Sequence, residues 1–463
     1  MTVSVLTASI LLLHLLGIFA AMHAVMHTRT PQGAIGWALG LLLLPYVTLL
    51  PYLYLGSTRF RGYLTQHQAR LPSSSQANVD ENASAAGCAR FAAVSALQGR
   101  PFRGRHRLRL LIDGEAAFDA MLAAMAAAEH CLLVQFFIFH DDHLGRRVQQ
   151  LLLQRAAAGV RVCVLFDGVG SHDLPGHYVD TLRAGGVAIH PFATRRWRNR
   201  FQLNFRNHRK IVVVDGTYAY VGGLNVGDEY LGLKPPLAPW RDTHLELQGP
   251  AVADLQQLFA EDWQWITGAP PPLLPSPPCD GDANALIVAS GPADPQETCS
   301  LFFTAAINAA RERLWLSTPY FVPDHAVLAA LRLAVLRGVD VRVLIPARPD
   351  HHTVFLATTL HAHDALRAGI RMFRYQPGFL HQKALLIDND SAAIGSMNLD
   401  SRSFRLNFEV SALVVDRAFA SEVATMLTAD FSRARAIDER EYRDAPYLRR
   451  VAMHVARLFD PLL

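Results

Sequence analysis

The sequence predicts an α/β protein built as a duplicated domain and tethered to a membrane by an N-terminal hairpin of two helices. Three observations carry that expectation. The first 58 residues are almost free of charge, the remainder repeats helix–Gly–strand units in two halves, and one polar motif occurs twice at the same spacing.

Residues 1 to 28 hold no Lys, Arg, Asp or Glu, and after Arg29 the next charge is Arg59. Each run covers the roughly 20 apolar residues that a bilayer-crossing helix needs. The break "HTRTPQG" contains Pro31 and Gly33, both turn formers. Residues 1–58 therefore read as a transmembrane hairpin. A cleaved signal peptide is the alternative for the first run, but it lacks a basic leader and a second apolar run follows at once. Pro45 and Pro51 are placed to kink the second span, which membrane helices tolerate. Arg59, Arg61 and Arg70 follow the hairpin, against Arg29 alone in its loop. The positive-inside rule then puts the bulk of the chain in the cytoplasm.

A chain of 463 residues allows two or three domains. The net charge of +4 argues against bulk nucleic-acid binding, so any basic function is local. Cys88, Cys131, Cys163, Cys279 and Cys299 are scattered and form no CxxC pair. They read as reduced thiols in a reducing compartment, without a structural zinc site.

Residues 59–105 form a juxtamembrane region, whose stretch from 66 to 90 is rich in Ser, Ala, Gln and Asn and reads as a linker. Residues 268–284, "GAPPPLLPSPPCDGDAN", are too rich in proline for regular structure. These breaks leave halves at 106–267 and 285–435, and a tail at 436–463. "AAEHCLLVQFFIFHDD" (127 to 142) parallels "AARERLWLSTPYFVPD" (309 to 324). "LLLQRAAAGVRVCVLFD" (151 to 167) parallels "LRLAVLRGVDVRVLIPA" (331 to 347), and "LRAGGVAIHPF" (182 to 192) parallels "LRAGIRMFRY" (366 to 375). Repeated βα units imply mixed sheets flanked by helices, and their recurrence implies two related domains about a pseudo-two-fold.

The duplicated motif is "NFRNHRKIVVVDGTYAYVGGLN" in the first half and "HQKALLIDNDSAAIGSMNLD" in the second. His208, Lys210, Asp215, Gly222 and Asn225 correspond to His381, Lys383, Asp388, Gly395 and Asn398, all 173 residues apart. Alternate residues of a strand face one side, so each His and Lys point the same way at the mouth of an apolar strand. Two imidazoles, two ammonium groups and two amides have no metal-ligand logic. They suit a phosphodiester: one neutral imidazole attacks phosphorus and the other protonates the leaving oxygen. Lys and Asn then bind the nonbridging oxygens.

HxKxxxxD followed by GGxN or GSxN, in two copies, resembles the phospholipase D superfamily. "WRDTHLELQGPAV", "TPYFVP", "FLHQKALLIDN", "IGSMNLDSRSFRLNFEV" and the N-terminal spans are similar to the bacterial cardiolipin synthases. The likeness covers nearly the whole chain, least in 60–105 and after about 435. Gly223 departs from the superfamily's GSxN, which Ser396 keeps; GGxN is familiar in cardiolipin synthases, though it removes one hydroxyl. The resemblance implies a phosphatidyltransferase of the cytoplasmic membrane. Its catalytic set is His208, Lys210, Asp215, His381, Lys383 and Asp388. His208 forms a phosphatidyl-histidine and His381 serves as acid and then base. Within that set Asp215 and Asp388 read as structural, closing hydrogen bonds at strand ends. Asp242 of "WRDTH" and Glu409 of "NFEV" orient the imidazoles, and Asn225, Asn398 and Ser396 support the substrate. Phosphatidylglycerol and anionic lipid are the implied partners, with no nucleic acid, metal or other cofactor. The rival expectations are a hydrolase that passes the intermediate to water, giving phosphatidic acid, and an inactive membrane scaffold.

Three further features remain. Arg195, Arg196, Arg198, Arg200, Arg206 and Arg209 cluster before the first motif, interleaved with Trp197, Phe201 and Phe205. They read as a solvated loop, as a landing site for anionic headgroups, or as a nucleic-acid groove. His351, His352, His361 and His363 fit no familiar zinc spacing and read as solvated or helix-packing residues. In the tail, Val451, Val455, Leu458 and Leu462 recur at helical spacing beside Arg449, Arg450 and Arg457. That pattern suits either a helix in the membrane interface or one packed on the catalytic core.

Overall fold

The computed structural model describes residues 2–28, 31–56, 85–192 and 204–463. It comprises two compact units, one carrying the N-terminal helices and one carrying both repeated halves.

In the first unit, α1 (Thr2–His27) is uninterrupted, and its stretch Val5–His27 is long and apolar enough to cross a membrane. The second apolar run is divided into α2 (Pro31–Leu43) and α3 (Pro45–Leu55). Proline disfavours helical dihedrals in the residue before it, and Leu44 accordingly lies outside the helical region (φ −136°, ψ 56°). Pro45 occupies the first helical turn, where its missing N–H costs nothing. Pro51 is accommodated inside α3. Ala21, Ala24, Leu41 and Tyr52 make the small contact core of these helices. A side chain at Gly17 would meet the Leu41 carbonyl oxygen at 2.4 Å, so glycine permits the close approach of α1 and α2.

The strands before the proline-rich connection are β1 (Arg103–Ile112), β2 (Cys131–Phe136), β3 (Arg161–Asp167), β4 (Ala188–Phe192), the dipeptide β5 (Arg206–Asn207), β6 (Ile211–Val214), β7 (Tyr218–Gly222), β8 (Trp240–Arg241) and β9 (Thr243–Gln248). The second half supplies β10 (Ala283–Ser290), β11 (Arg313–Ser317), β12 (Asp340–Pro346), β13 (Arg371–Tyr375), β14 (Phe379–Leu380), β15 (Ala384–Ile387), β16 (Ser391–Gly395), β17 (Asn407–Val415) and β18 (Ala434–Ala436). Hydrogen bonding orders them β18-β13-β12-β11-β15-β16-β17-β10-β1-β9-β7-β6-β2-β3-β4.

This order is a duplication written in hydrogen bonds. The parallel trio β2, β3, β4 matches β11, β12, β13. The antiparallel run β6, β7, β9 matches β15, β16, β17, and β1 meets β10 antiparallel at the join. Every residue of β2 is buried, as expected of a strand covered on both faces. The preceding helices end where the sequence placed glycine. Gly159 (φ 88°) and Gly338 (φ 85°) follow His143–Ala157 and His325–Leu336 in the left-handed conformation that terminates a helix.

Ile211, Val213, Val221 and Leu245 of the first half share a continuous apolar core with Leu386, Ile394, Val410 and Ala412 of the second. The helices Val252–Thr267 and Arg417–Ser432 contribute to the same core. The proline-rich connection has neither helix nor strand between Gly268 and Asp282. Gln256 holds it from the side, donating to Leu274 O (2.8 Å) and accepting from Leu274 N (3.1 Å).

Candidate active site

Both HxK segments sit immediately before a strand rather than on it: β6 begins one residue after Lys210 and β15 one residue after Lys383. Each is held by the opposite half. His208 N donates to Phe408 O (2.9 Å), and His381 N donates to Arg241 O (2.8 Å). The dipeptide β14, just before His381, pairs in parallel with β8, just before Asp242. The two motifs are thereby drawn into one cleft.

The same exchange recurs in the side chains. His208 Nδ1 lies 2.9 Å from Glu409 Oε2, and His381 Nδ1 lies 2.6 Å from Asp242 Oδ2. With Nδ1 engaged by a carboxylate, Nε2 is the nitrogen left for chemistry. Burial pushes both imidazoles down to about 4, against the opposing pull of Glu409 and Asp242. Each imidazole also feels the lysines of both halves, Lys210 and Lys383, which places all four groups within electrostatic reach. Without ligand, both histidines are therefore neutral at physiological pH.

The two carboxylates are supported differently. Glu409, fully buried, accepts from His208, Ser403 Oγ (2.9 Å), Asn407 Nδ2 (3.1 Å) and Ser396 Oγ. Asp242 accepts from His381 and from Thr243 N (2.8 Å). Gly223 takes the position equivalent to Ser396, and a Cβ there would lie 2.1 Å from Asp242 Oδ1. Aspartate is one methylene shorter than glutamate, so its carboxylate occupies the space a serine would need. The missing hydroxyl is thus the steric counterpart of Asp242.

Lys210 is fully buried, and its Nζ donates to His208 O (2.6 Å); Lys383 Nζ donates to His381 O. Burial pushes Lys383 down to about 8 and Lys210 well below its ordinary value. Asn225 is committed elsewhere than to an open cleft: its Nδ2 donates to Tyr230 Oη (3.1 Å) and its Oδ1 accepts from Ile138 N (3.2 Å). Asn398 is buried and its Oδ1 has no hydrogen-bond partner among the described residues. Aromatic rings wall both imidazoles. Phe137 lies 5.0 Å from His208, while Trp240 and Tyr230 lie 5.0 and 6.4 Å from His381.

Asp215 and Asp388 lie at the far ends of β6 and β15, away from the histidines. Both adopt positive φ (49° and 54°). Asp215 accepts from the backbone N–H groups of Glu129, His130 and Cys131 at 2.7–2.8 Å. Asp388 accepts from Arg311, Glu312 and Arg313 N and from Arg90 Nη1 (2.7 Å). Each closes the start of a neighbouring strand, β2 or β11.

Two residues that sequence reasoning passed over complete the frame. Asp262 is fully buried and accepts from Arg209 Nη1, Asn207 Nδ2 and Gln135 Nε2, each at 2.8 Å. Asp430, also fully buried, accepts from Arg241 Nη2 (2.8 Å) and Nε (2.9 Å) and from Gln382 Nε2 (3.2 Å). Each carboxylate holds neighbours of a catalytic candidate. A signal was present: Leu255, Leu258, Phe259, Asp262 and Val423, Met426, Leu427, Asp430 are two i, i+3, i+4, i+7 apolar stripes ending in an acid. Arg209 consequently spends its charge on Asp262 and is not a source of the neutrality of His208, for which burial suffices.

Arg195, Arg196, Arg198 and Arg200, with Trp197 and Phe201, lie outside the described residues. His361 is buried against Asp460 (2.7 Å) and His363 stacks on Tyr442 at 4.3 Å, whereas His351 and His352 are exposed. Among the described residues no group of His, Cys, Asp and Glu is arranged to hold a metal ion.

Comparison with known proteins extends this geometry. A family model described as cardiolipin synthase, PLD-like domain, matches residues 121–263 and 303–433. Cardiolipin synthase A of Pseudomonas fluorescens is 56% identical over 467 residues, covering 98% of each chain. Cardiolipin synthase A of Pseudomonas aeruginosa is 55% identical over 464 residues, covering 97% of this chain and 95% of its own. Among solved structures, a phosphatidylserine synthase of Haemophilus influenzae superposes with a TM-score of 0.61 at 12% identity, over 81% of this chain and 100% of its own, a likeness of fold. With two family-model matches on its two halves and relatives this similar along its length, the chain belongs to the cardiolipin synthase family of PLD-like proteins.

Proposed function

We propose that this chain transfers a phosphatidyl group from one phosphatidylglycerol to a second, giving cardiolipin and glycerol. The observation that carries the reading is the exchange of carboxylates between halves, which anchors both motif histidines by Nδ1 in one buried cleft. Nε2 of neutral His208 attacks phosphorus. The bond to the glycerol oxygen breaks as His381 protonates that oxygen. The phosphodiester's own negative charge favours the proton on His381 in the bound state. Lys210 and Lys383, with the amide of Asn398, face the nonbridging oxygens. The phosphatidyl-imidazolium carries positive charge against Glu409. His381 then takes the proton from the second substrate's hydroxyl, whose oxygen displaces His208 from phosphorus. Asp215 and Asp388 hold the scaffold in this scheme.

The same reading places residues 1–58 across a bacterial cytoplasmic membrane and the catalytic halves, 106–267 and 285–435, in the cytoplasm. α2 and α3 have 13 and 11 residues, each too short to cross alone. End to end they would cover about 36 Å, against a hydrocarbon core of about 30 Å. The arginines after the hairpin supply the orientation.

The test is purified protein with phosphatidylglycerol as sole lipid. Cardiolipin and glycerol in equal amounts are expected. Phosphatidic acid as the main product would assign the chain to the hydrolases.

A further inference from the structure

The C-terminal helix Tyr447–Arg457 packs one face on the body and leaves an apolar face outside. Met453 and Ala456 are buried, the latter with Val322 and Ala357. The helix lies along His352–Arg367, fastened by Arg457 to Asp364 (3.0 Å). On the other side Tyr447, Leu448, Val451 and Val455, with Leu458 and Phe459 in the turn that follows, are all exposed. Leu448 and Leu458 are each 78% exposed. At about 100° per residue these six fall within roughly 120° of arc, one continuous strip. Scattered exposed apolar residues need no explanation, but a contiguous strip does.

Charge identifies what covers it. From Ala445 to Phe459 there is no Asp or Glu. On the same wheel His454 borders the strip, while Arg450 lies about 60° and Arg449 and Arg457 about 80° beyond its edges, Arg457 being held by Asp364. An exposed aliphatic strip with a tyrosine at one end, on a segment whose ionisable side chains are, apart from the tyrosine, all basic, is the arrangement of a helix lying in an anionic lipid interface. The helix is also tied to the active site. Leu463 O accepts from Arg402 N (2.7 Å), and Ser403, the next residue, donates to Glu409 (2.9 Å).

We propose that Tyr447–Phe459 is an interfacial anchor that sinks its outer apolar strip into an anionic bilayer and holds the catalytic body against its lipid substrate. This rests on the phosphatidyltransferase reading only for its purpose; the docking itself is independent of turnover. In that arrangement lipid need not leave the membrane to reach the cleft.

The test uses the full chain in vesicles of phosphatidylcholine and phosphatidylglycerol. Cys279 is the one partly exposed thiol among the five cysteines, so labels are placed in a Cys279→Ser background. Spin labels at Leu448→Cys, Val455→Cys and Leu458→Cys should be relaxed by oxygen and protected from a water-soluble nickel complex. A label at Arg449→Cys, off the strip, should remain accessible to nickel. Nickel accessibility along the strip would overturn the proposal. So would protection from both reagents with dipolar broadening between labels, which would show a second copy on this face. In the activity assay, Val455→Glu with Leu458→Glu should raise the apparent KM for vesicle substrate at least about tenfold, given the apolar area lost. The kcat on detergent-dispersed substrate should be unchanged. Labels immersed in lipid in a protein that makes no cardiolipin would leave docking standing and remove the proposed reaction.

Discussion

Replacing Glu409 by glutamine keeps the side chain's size and removes its charge. Glu409 is fully buried and is the acceptor for four donors, among them His208 Nδ1 at 2.9 Å. An amide accepts through one atom and donates through the other. Its NH2 group, turned toward Nδ1, would favour the tautomer with hydrogen on Nε2, which cannot attack. Turned the other way, it would face the donors Ser403 and Asn407, 2.9 and 3.1 Å from Oε1. The phosphatidyl-imidazolium of the proposed reaction would also lose its counter-charge. Removing one partner of a buried charged pair costs about 3–5 kcal/mol, which corresponds to about 10²–10⁴-fold in kcat. Glycerol release from phosphatidylglycerol vesicles measures it, with near-ultraviolet circular dichroism as the control for folding. Ser396→Ala deletes one donor to the same carboxylate and should cost about 1.5–3 kcal/mol, a smaller loss. A folded Glu409→Gln protein within about threefold of the parent kcat would refute the reasoning, since it would leave under 1 kcal/mol for the carboxylate.

Gly223→Ala should reduce kcat at least about tenfold through displacement of Asp242 from His381, because the new Cβ meets Oδ1 at 2.1 Å; unchanged turnover would show that the strand shifts to accommodate it. Asp262→Asn should destabilise the fold by about 3–5 kcal/mol, measured as a drop in melting temperature, because it breaks the buried ion pair with Arg209, and Asp430→Asn should cost less, because Arg241 keeps its ion pair with Asp113 at 2.9 Å. Protons should destabilise the protein between about pH 6.5 and pH 4. The folded histidines His208 and His381 are depressed to about 4, so the unfolded chain binds the extra protons in that window. Their contribution is full above pH 6.5 and lost as pH falls, about 3 kcal/mol for each; denaturant titrations should show less acid sensitivity in His208→Gln or His381→Gln. His381→Asn should trap labelled phosphatidyl on the peptide containing His208, read by mass spectrometry of quenched protein; label on His381 in His208→Asn would exchange their roles.

The architecture was legible because duplication doubles every signal. A lone His-x-Lys says little, but its recurrence with Asp, Gly and Asn at one offset marked both half-sites, and the recurring Leu-Arg-Ala-Gly and Gly-Val steps marked the βα units. What stayed hidden was of two kinds. The pairing of Glu409 with His208 and of Asp242 with His381 crosses between halves, so no spacing within a half reveals it. Asp262 and Asp430 were obscured by their own surroundings, since an acid on an apolar helical stripe looks like a boundary until the buried arginine facing it is seen. The second apolar run shows a third limit. Its composition announced one span, whereas Pro45 divides it into two short helices at Leu44.

The residues that differ between the halves say more about mechanism than those that repeat. A perfectly symmetric site would have no reason to prefer one imidazole as nucleophile. Burial and the lysines push His208 and His381 down to about 4 alike, so electrostatics at that level does not separate them. The carboxylates differ, in the sense the proposed assignment requires. Glu409 divides its lone pairs among four donors, which makes it a weak proton acceptor and a fixed counter-charge, suited to hold a neutral His208 and, in the proposed reaction, its phosphatidyl-imidazolium. Asp242 serves His381 and one backbone N–H, at a shorter imidazole distance of 2.6 Å. A less encumbered carboxylate supports a protonated imidazole better, as the acid–base partner requires. Gly223 and Ser396 are where this difference is written into the motif, since the hydroxyl that helps saturate Glu409 is the one that Asp242 leaves no room for.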